Sequence, residues 1–303
     1  MINTNFISFD YMSNILVTGG LGFIGSNFIS KIIDKENFVV NLDCETYASV
    51  NKSFLNFESN QNYRHYDIDI ADYQKVNKII KKYSFDIIFH FAAESHVDKS
   101  IENSFKFCNT NVIGTLNLLE SYSKLNRKNK LFIHVSTDEV YGSIKEGFFD
   151  ENSIYRPNSP YSASKASSDH FVRAYFETHK LPVIITNCSN NFGPYQNKEK
   201  FIPTVINSLL NKKNIPVYGD GKNIREWIHV EDHVDGLIHL SKNGKVGESY
   251  CIGSGEEYSN IDIVKKICNN FDELNGTKDS EKLISFVRDR KGHDFRYGLN
   301  SSK

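Results

Sequence analysis

Apolar and polar positions follow two different periods between Asn14 and Thr186. Short apolar runs indicate buried strands, and apolar residues three or four apart indicate helices with one face in the core. The predicted strands are Asn14–Thr18, Phe38–Leu42, Asn62–Tyr66, Asp86–Phe91, Leu131–Ser136 and Pro182–Thr186. The predicted helices are Gly22–Ile33, Tyr73–Tyr83, Ser104–Leu125 and Pro160–His179.

This alternation predicts a doubly wound parallel α/β sheet, because parallel neighbouring strands need crossover helices that cover both faces. Ligands of such sheets bind beyond the carboxyl ends of the strands. After about residue 187 the periodicity weakens, and only Ile202–Leu210 and Asn260–Phe271 are predicted as helices. We interpret this part as a smaller α/β lobe beside the sheet.

A glycine-rich segment joins the first predicted strand to the first helix. Gly19, Gly22 and Gly25 are spaced three apart, and glycine permits both a tight turn and close approach of the backbone to a pyrophosphate. The helix that follows offers free N–H groups to the phosphates. Asp43, which follows the second strand without an arginine after it, suits ribose hydroxyls and repels a 2′-phosphate. These features predict an NAD-binding Rossmann domain.

The pattern therefore divides the chain into three parts. We predict an N-terminal extension (1–12), an NAD-binding Rossmann domain (13–187 and about 227–250) and a substrate-binding lobe (188–226 and 251–303). The extension has no basic segment followed by an apolar one, so we do not interpret it as a signal peptide.

The composition limits which binding partners and which cellular compartment are expected for this chain. The net charge is −1, from 36 basic and 37 acidic residues, so no basic surface for nucleic acid or an anionic membrane is expected. Five cysteines without a C-x-x-C pair argue against disulfides and favour a reducing cytoplasm. His229 and His233 lack the H-E-x-x-H pattern, so no metal site is predicted.

Tyr161 and Lys165 are four residues apart, which places them on one face of the predicted helix. Ser159 suits the N-cap and Pro160 the first helical position, so Tyr161 falls in the first turn. A nearby ammonium and a helix N-terminus both favour the phenolate. We therefore expect the pKa of Tyr161 to be lowered toward the range of a general base.

Thr137, Asp138 and Glu139 follow the strand that ends at Ser136. Two adjacent acids at the carboxyl end of a strand suit acid–base chemistry, and they equally suit a solvated turn. Adjacent carboxyl groups raise each other's pKa, which helps one of them to stay neutral.

This chain resembles the extended branch of the short-chain dehydrogenase/reductase family over about Asn14 to Tyr297. The resemblance depends on three elements in their order along the chain: the glycine-rich turn, the Thr-Asp-Glu triplet and the Tyr–Lys pair. Within that branch the motifs are similar to those of nucleotide-sugar 4,6-dehydratases, in which adjacent Asp and Glu distinguish them from sugar 4-epimerases. The motifs are TGGLGFIG (Thr18–Gly25), FAAESHVDKSI (Phe91–Ile101), STDEVYG (Ser136–Gly142), PYSASK (Pro160–Lys165), NNFGPYQNKEKFIP (Asn190–Pro203), GDGKNIREWIHVEDH (Gly219–His233) and DRKGHDFRY (Asp289–Tyr297).

The resemblance implies a lyase that converts a nucleoside-diphosphate-glucose to its 4-keto-6-deoxy sugar and water, with transient hydride storage on bound NAD, in rhamnose-type deoxysugar synthesis. Tyr161 would take the proton of the 4-hydroxyl, beside Lys165, and Thr137 would bind the 4-oxygen. Glu139 would remove the C5 proton, and Asp138 would donate to the departing 6-hydroxyl. The sequence itself does not decide which of the two acids is neutral.

The resemblance also implies the binding residues. Those for NAD would be Gly19, Gly22, Phe23, Ile24, Gly25, Asp43, Asp69, Ile70, Ala92, Ala93, Tyr161 and Lys165. Those for the substrate would be Ser95, His96, Asn190, Lys200, Tyr218, Arg225, Arg290 and His293. The motifs leave UDP-glucose and dTDP-glucose both open as the donor.

Three alternatives remain at this stage. A nucleotide-sugar 4-epimerase shares Tyr161 and Lys165, and a GDP-mannose dehydratase generally prefers NADP, which Asp43 disfavours. A non-catalytic NAD(H)-binding protein would have no use for the complete set of reactive groups. The resemblance further implies a homodimer, in which helices Ser104–Leu125 and Pro160–His179 of both copies form a four-helix bundle.

Overall fold

The computed structural model describes residues 13–33, 37–126 and 130–303, so the predicted extension 1–12 lies outside the described residues. The strands are β1 Asn14–Thr18, β2 Phe38–Asp43, β3 Tyr63–Asp67, β4 Ile87–His90, β5 Leu131–Thr137, β6 Val183–Cys188, β7 Asn190–Phe192, β8 Ile215–Tyr218, β9 Ile224–His229, β10 Ser249–Ile252, β11 Glu257–Ser259 and β12 Ile284–Val287. The α-helices are α1 Phe23–Ile32, α2 Tyr73–Tyr83, α3 Val97–Glu102, α4 Ser104–Phe107, α5 Thr115–Ser123, α6 Pro160–His179, α7 Phe201–Leu210, α8 Val230–Asn243 and α9 Asn260–Asn275.

Seven of these strands form one parallel sheet in the order β10-β6-β5-β4-β1-β2-β3. The strand order reverses between β1 and β4, and ligands of doubly wound sheets bind in the crevice at such a point. The predicted fold class, a doubly wound parallel sheet with a smaller lobe, is confirmed. The glycine-rich segment leaves β1 at this crevice, and the segment that contains Ala92 and Ala93 leaves β4 beside it.

Two apolar clusters cover the two faces of the large sheet. One face packs against α1 and α8, with Phe28 and Val234 fully buried, and the other packs against α2, α5 and α6, with Ile80 and Leu118 fully buried. Since helices cover both faces, the central strands are buried along nearly their whole length, as their mainly apolar runs predicted. No helix of the described ranges is long and apolar enough to cross a membrane.

Helix α6 begins and ends at the predicted residues, Pro160 and His179. The Ser159 hydroxyl accepts from the Ser162 N–H at 3.1 Å, and the Ser162 hydroxyl accepts from the Ser159 N–H at 3.0 Å. This reciprocal capping, with proline in the first turn, sets the start of the helix. It therefore also sets the position of Tyr161 in the first turn.

The helix predicted over Ser104–Leu125 is interrupted. Residues Cys108–Gly114 form a π-helical segment between α4 and α5. Within it the Asn111 side chain exchanges hydrogen bonds with the Glu94 backbone, at 2.8 and 3.0 Å, and donates to Ser164 Oγ at 2.8 Å. A π-bulge of this kind is frequent at functional sites. Here it ties the segment after β4 to α6.

The smaller lobe contains a three-stranded sheet, β11-β9-β7, and a two-stranded sheet, β12-β8. Its own core lies between α7, α9 and these strands, with Val217 and Val264 fully buried. β10 returns to the large sheet beside β6, and α8 packs against α1. These strands are only three to six residues long, which is too short for a hydrophobic period to stand out, and for that reason the sequence did not predict them.

Candidate active site

The glycine-rich turn after β1 leaves no room for side chains. Gly19 has φ +72°, and a Cβ there would lie 2.6 Å from the backbone nitrogen of Ala92. A Cβ on Gly25 would lie 2.3 Å from the carbonyl oxygen of Gly19. Gly22 is the N-cap of α1 and provides no side-chain acceptor for the first N–H groups of the helix. The turn thus presents bare backbone and a helix N-terminus, which is the arrangement that a pyrophosphate needs.

Two polar residues at the end of β2 hold this turn in place. Asn41 Oδ1 accepts from the Gly20 N–H, and Asp43 Oδ2 accepts from the Leu21 N–H, both at 2.9 Å. Asp43 Oδ1 also accepts from the Glu45 N–H at 2.9 Å. Burial raises the pKa of Asp43, and the two backbone hydrogen bonds oppose that rise. Sequence reasoning missed Asn41, although an amide inside a buried apolar strand was a visible signal.

The other predicted cofactor residues lie around the same crevice. Phe23 and Ile24 in the first turn of α1 are half-buried, as are Ala92 and Ala93 after β4. Asp69 is exposed beyond β3, whereas the Ile70 side chain packs into the core against Gly114. Ile70 can therefore meet a ligand through its backbone but hardly through its side chain.

Tyr161 and Lys165 are both buried in α6, beside the end of β5. Lys165 Nζ donates to the carbonyl of Val135 at 2.9 Å. Burial and the negative charge of Glu139 raise the pKa of Tyr161 well above its ordinary value. The expected lowering of this pKa is wrong, because burial and the facing Glu139 carboxylate outweigh the effect of the helix terminus.

The two acids after β5 have different surroundings. Asp138 is 2% exposed, its Oδ1 accepts from the Thr137 hydroxyl at 3.1 Å, and its Oδ2 has no hydrogen-bond partner among the described residues. Burial and the charge of Glu139 raise the pKa of Asp138 well above its usual range. Burial also raises the pKa of Glu139, but Arg290, Arg225 and Lys200 oppose that rise. The surroundings therefore favour the neutral form more strongly for Asp138 than for Glu139.

Three cations of the smaller lobe face Glu139. Lys200 Nζ donates to the Ser95 carbonyl at 2.8 Å, and burial lowers the pKa of Lys200. The Arg225 guanidinium donates to three backbone carbonyl groups and lies over the Tyr297 ring at 4.3 Å. Nε of Arg290 is buried without a partner among the described residues. An unpartnered buried guanidinium nitrogen suits an anionic ligand.

The remaining predicted substrate residues surround this group. His293 Nδ1 lies 2.6 Å from Asp289 Oδ1, and its ring stands edge-on to Tyr218 at 6.2 Å. Tyr218 donates to Asp98 Oδ2 at 3.4 Å. His96 is the N-cap of α3, with Nδ1 unpartnered among the described residues, and Asn190 opens β7.

Sequence reasoning did not assign the residues that support this group. The Tyr297 hydroxyl donates to Asp294 Oδ2 at 2.6 Å, and Asn158 donates to Asp294 Oδ1 at 2.6 Å. The Asp294 carbonyl then accepts from Arg225 at 2.9 Å. The contacts of Asp294 with Asn158 and Arg225 join residues more than 60 positions apart, so no local pattern could predict those two.

Comparison with known proteins agrees with this geometry. The family model described as GDP-mannose 4,6 dehydratase matches residues 16–303. The dTDP-glucose 4,6-dehydratase of Haemophilus influenzae is 47% identical, over 96% of this chain and 91% of that protein. A solved dTDP-glucose 4,6-dehydratase from Streptomyces venezuelae, with NAD bound, is 42% identical with a TM-score of 0.87, over 95% of this chain and 88% of that one.

The same fold also carries sugar epimerases. A solved UDP-glucose 4-epimerase from Thermotoga maritima is 27% identical with a TM-score of 0.84, over 95% of this chain and 90% of that one. Identity to the dehydratases is higher at similar coverage. Together with the match over nearly the whole chain, this places the chain in the nucleotide-sugar 4,6-dehydratase family, the family that its motifs predicted.

Proposed function

We propose that this chain is an NAD-dependent dTDP-glucose 4,6-dehydratase, which forms the 4-keto-6-deoxy sugar and water. The observation that carries this proposal is the pair of acids after β5. Burial and the neighbouring charge favour the neutral form of Asp138, whereas Glu139 faces three cations, so one site would hold both a proton donor and a proton acceptor. A 4-epimerase, which neither removes the C5 proton nor expels the 6-hydroxyl, has no use for this pair.

The residues present fit NAD. The bare turn at Gly19, Gly22 and Gly25 and the uncapped start of α1 would hold the pyrophosphate. Asp43 would bind the adenosine ribose, and its negative charge excludes a 2′-phosphate. When bound, NAD would supply reversible storage of the hydride that leaves C4 of the sugar and is returned at C6.

The first step belongs to Tyr161. Its phenolate takes the proton of the sugar 4-hydroxyl, while Thr137 donates a hydrogen bond to the same oxygen. The buried ammonium of Lys165 stabilises the phenolate, and this help matters because burial and Glu139 favour the neutral phenol. The resulting 4-ketone makes the neighbouring C5 proton acidic.

Elimination of water then uses both acids. The Glu139 carboxylate removes the C5 proton, and neutral Asp138 gives its proton to the departing 6-hydroxyl. Arg290, Arg225 and Lys200 favour the ionised form of Glu139 by their positive charges and oppose the effect of burial. They are also the cations that would meet the substrate diphosphate, so donor binding and the base would share one electrostatic cluster.

The relatives support dTDP rather than UDP as the nucleotide, because the dehydratases of H. influenzae and S. venezuelae are named for dTDP-glucose. The two bases differ by one methyl group, which is worth about 0.8 kcal/mol when buried. We therefore expect UDP-glucose to be a slower substrate of the same site, with kcat/KM lower by about fourfold.

We also propose that the enzyme is a homodimer. The faces of α4, the π-helical segment and α6 that point away from the sheet expose large apolar side chains. Phe105 is 87% exposed, Ile113 41% and Phe171 37%. Pairing these faces in a four-helix bundle would bury them. Light scattering of the protein and of its Phe105→Asp variant tests the proposal: a dimer that becomes monomeric supports it, and a wild-type monomer contradicts it.

The compartment is part of the same proposal. All five cysteines are unpaired, and three of them, Cys188, Cys251 and Cys268, are buried. Free thiols in this number suit a reducing environment, which supports the cytoplasm as the place of action.

The decisive experiment incubates the purified protein with dTDP-glucose and with UDP-glucose in D₂O and follows product mass. Loss of one water, incorporation of deuterium at C5 and no net consumption of NAD support the proposal. Conversion to the galactose isomer at unchanged mass would instead identify an epimerase. Absence of any product from both donors, with NAD bound, would refute the dehydratase. Tyr161→Phe serves as the inactive reference.

A further inference from the structure

Asp169 is a buried carboxylate that no step above uses. It lies one turn after Lys165 on α6 and is 2% exposed. Its Oδ2 accepts hydrogen bonds from the Ser136 hydroxyl at 2.8 Å, the Tyr155 hydroxyl at 3.0 Å and the Asn187 amide at 3.5 Å. These donors come from the end of β5, the segment before α6, and β6.

The fourth neighbour is His134 on β5. The Ser168 hydroxyl donates to the Lys165 carbonyl at 2.7 Å, so its oxygen accepts from His134 Nε2 at 3.1 Å. Nε2 therefore carries the ring proton, and it lies 3.1 Å from Asp169 Oδ1. The three hydrogen bonds to Oδ2 all come from donors, which suits an anion, and Oδ1 has no hydrogen-bond partner among the described residues.

The hydrogen-bond partners of Asp169 contact the proposed catalytic residues or are adjacent to them in sequence. Ser136 immediately precedes Thr137, and the Asn187 amide also donates to the Thr137 carbonyl at 3.2 Å. The Tyr141 hydroxyl donates to Asn187 Oδ1 at 3.3 Å, so it orients that amide toward Asp169 and Thr137. On α6, burial lowers the pKa of Lys165, and the negative charge of Asp169 opposes that change.

We propose that Asp169 is a positioning residue of the dehydration reaction: as an anion it keeps the buried Lys165 charged and holds the Thr137 backbone in register with α6. The inference rests on the proposed function, because it needs Lys165 and Thr137 to act on the sugar. It adds a buried carboxylate, one helical turn from Lys165, to the residues that support the reaction.

The other titratable groups around Asp169 are neutral near pH 7. Burial keeps the pKa of His134 well below its ordinary value, and burial raises the pKa values of Tyr141 and Tyr155. Lys165 is the remaining charged neighbour. Burial raises the pKa of Asp169 to about 6, so the anion and its support of Lys165 are lost as the pH falls through that value.

The test compares wild type, Asp169→Asn and Glu273→Gln, which removes an exposed charge from α9. In Asp169→Asn we expect kcat to fall by about 10- to 100-fold while KM changes less than about threefold. The alkaline limb of the kcat profile should move to lower pH, because Lys165 then loses its proton more easily. Glu273→Gln should match wild type. Thermal melting and bound NAD verify that each variant is folded.

A wild-type kcat and pH profile in folded Asp169→Asn would overturn the inference. Turnover of dTDP-glucose by wild type separates that result from failure of the proposed function. If Asp169→Asn does not fold, the pH profile of the Tyr155→Phe variant tests the inference instead. Loss of one donor should raise the pKa of Asp169, so the acid limb of the kcat profile should move to higher pH. An unmoved acid limb in that variant would overturn the inference, since a purely structural contact would leave the profile unchanged.

Discussion

Backbone builds the proposed cofactor side of the crevice, whereas charged side chains build the proposed substrate side. On the first side, Gly19 and Gly25 leave main chain and a helix N-terminus exposed. On the second, Lys200, Arg225 and Arg290 come from three distant segments and converge on Glu139. Cofactor binding would therefore depend on the shape of a single turn, and substrate binding would depend on how the smaller lobe packs against the large sheet.

The two sides are expected to tolerate different changes of residue size and of pH. A backbone surface changes little with pH, but a single added methyl group blocks it. A cluster of charges tolerates small changes of shape, but its function depends on which groups are ionised. The predictions below test this contrast, beginning with the largest expected effect.

The largest effect is expected at the two acids. Glu139→Gln removes the base, and Asp138→Asn removes the acid, so each should lower kcat by about 10²–10⁴-fold. They should differ in isotope exchange. Glu139→Gln should abolish exchange of the C5 proton with D₂O, whereas Asp138→Asn should retain part of it while water loss stops. Equal exchange in the two variants would contradict the separate roles.

The next effect tests the backbone side. In Gly25→Ala the new Cβ would lie 2.3 Å from the Gly19 carbonyl, so the turn must shift and NAD should be lost. We expect activity to fall by at least about 100-fold, measured together with the NAD content of the purified protein. Gly236→Ala in α8 is the matched control, because its Cβ meets Ile252 at an ordinary 3.6 Å. Full NAD content in Gly25→Ala would show that the turn is not the cofactor site.

A smaller effect is expected from a single cation on the substrate side. Arg290→Ala should raise KM by about 10- to 100-fold, because a charge-assisted contact to the diphosphate is lost. It should also move the acid limb of kcat/KM to higher pH, since Arg290 lowers the pKa of Glu139. Arg288→Ala, which removes an exposed arginine nearby, should leave both unchanged. Steady-state kinetics from pH 5 to 9 would measure this, and an unchanged KM would contradict it.

The smallest effect concerns stability. The folded-state pKa of Asp138 lies above its unfolded value, so this group costs stability once the pH exceeds about 3.9, and the cost grows until the pH passes the folded pKa. Asp138→Asn should therefore raise Tm at pH 8 by about 2–4 °C and leave Tm nearly unchanged at pH 4. A variant less stable than wild type at pH 8 would show that the Asp138 carboxylate has a stabilising partner.

Local pattern was sufficient where a single segment forms the structure. The turn at Gly19–Gly25 and the helix Pro160–His179 were predicted because glycine spacing, Ser159 capping and apolar periodicity act over a few residues. Asn41 was missed, although its amide binds the same turn. Its partner lies 21 positions away, and only the pairing of β1 with β2 brings the two together.

The sequence by itself determined the alternation of strands and helices up to about Thr186, the glycine turn, and the placement of an acid pair and a Tyr–Lys pair at strand and helix ends. These follow from short-range sterics, capping and hydrophobic spacing. Only the tertiary structure decided which acid has its neutral form favoured, that the pKa of Tyr161 rises, and that Asp169 is hydrogen-bonded to Ser136 next to Thr137. Burial and long-range charge control these properties, and both arise only when distant segments pack together.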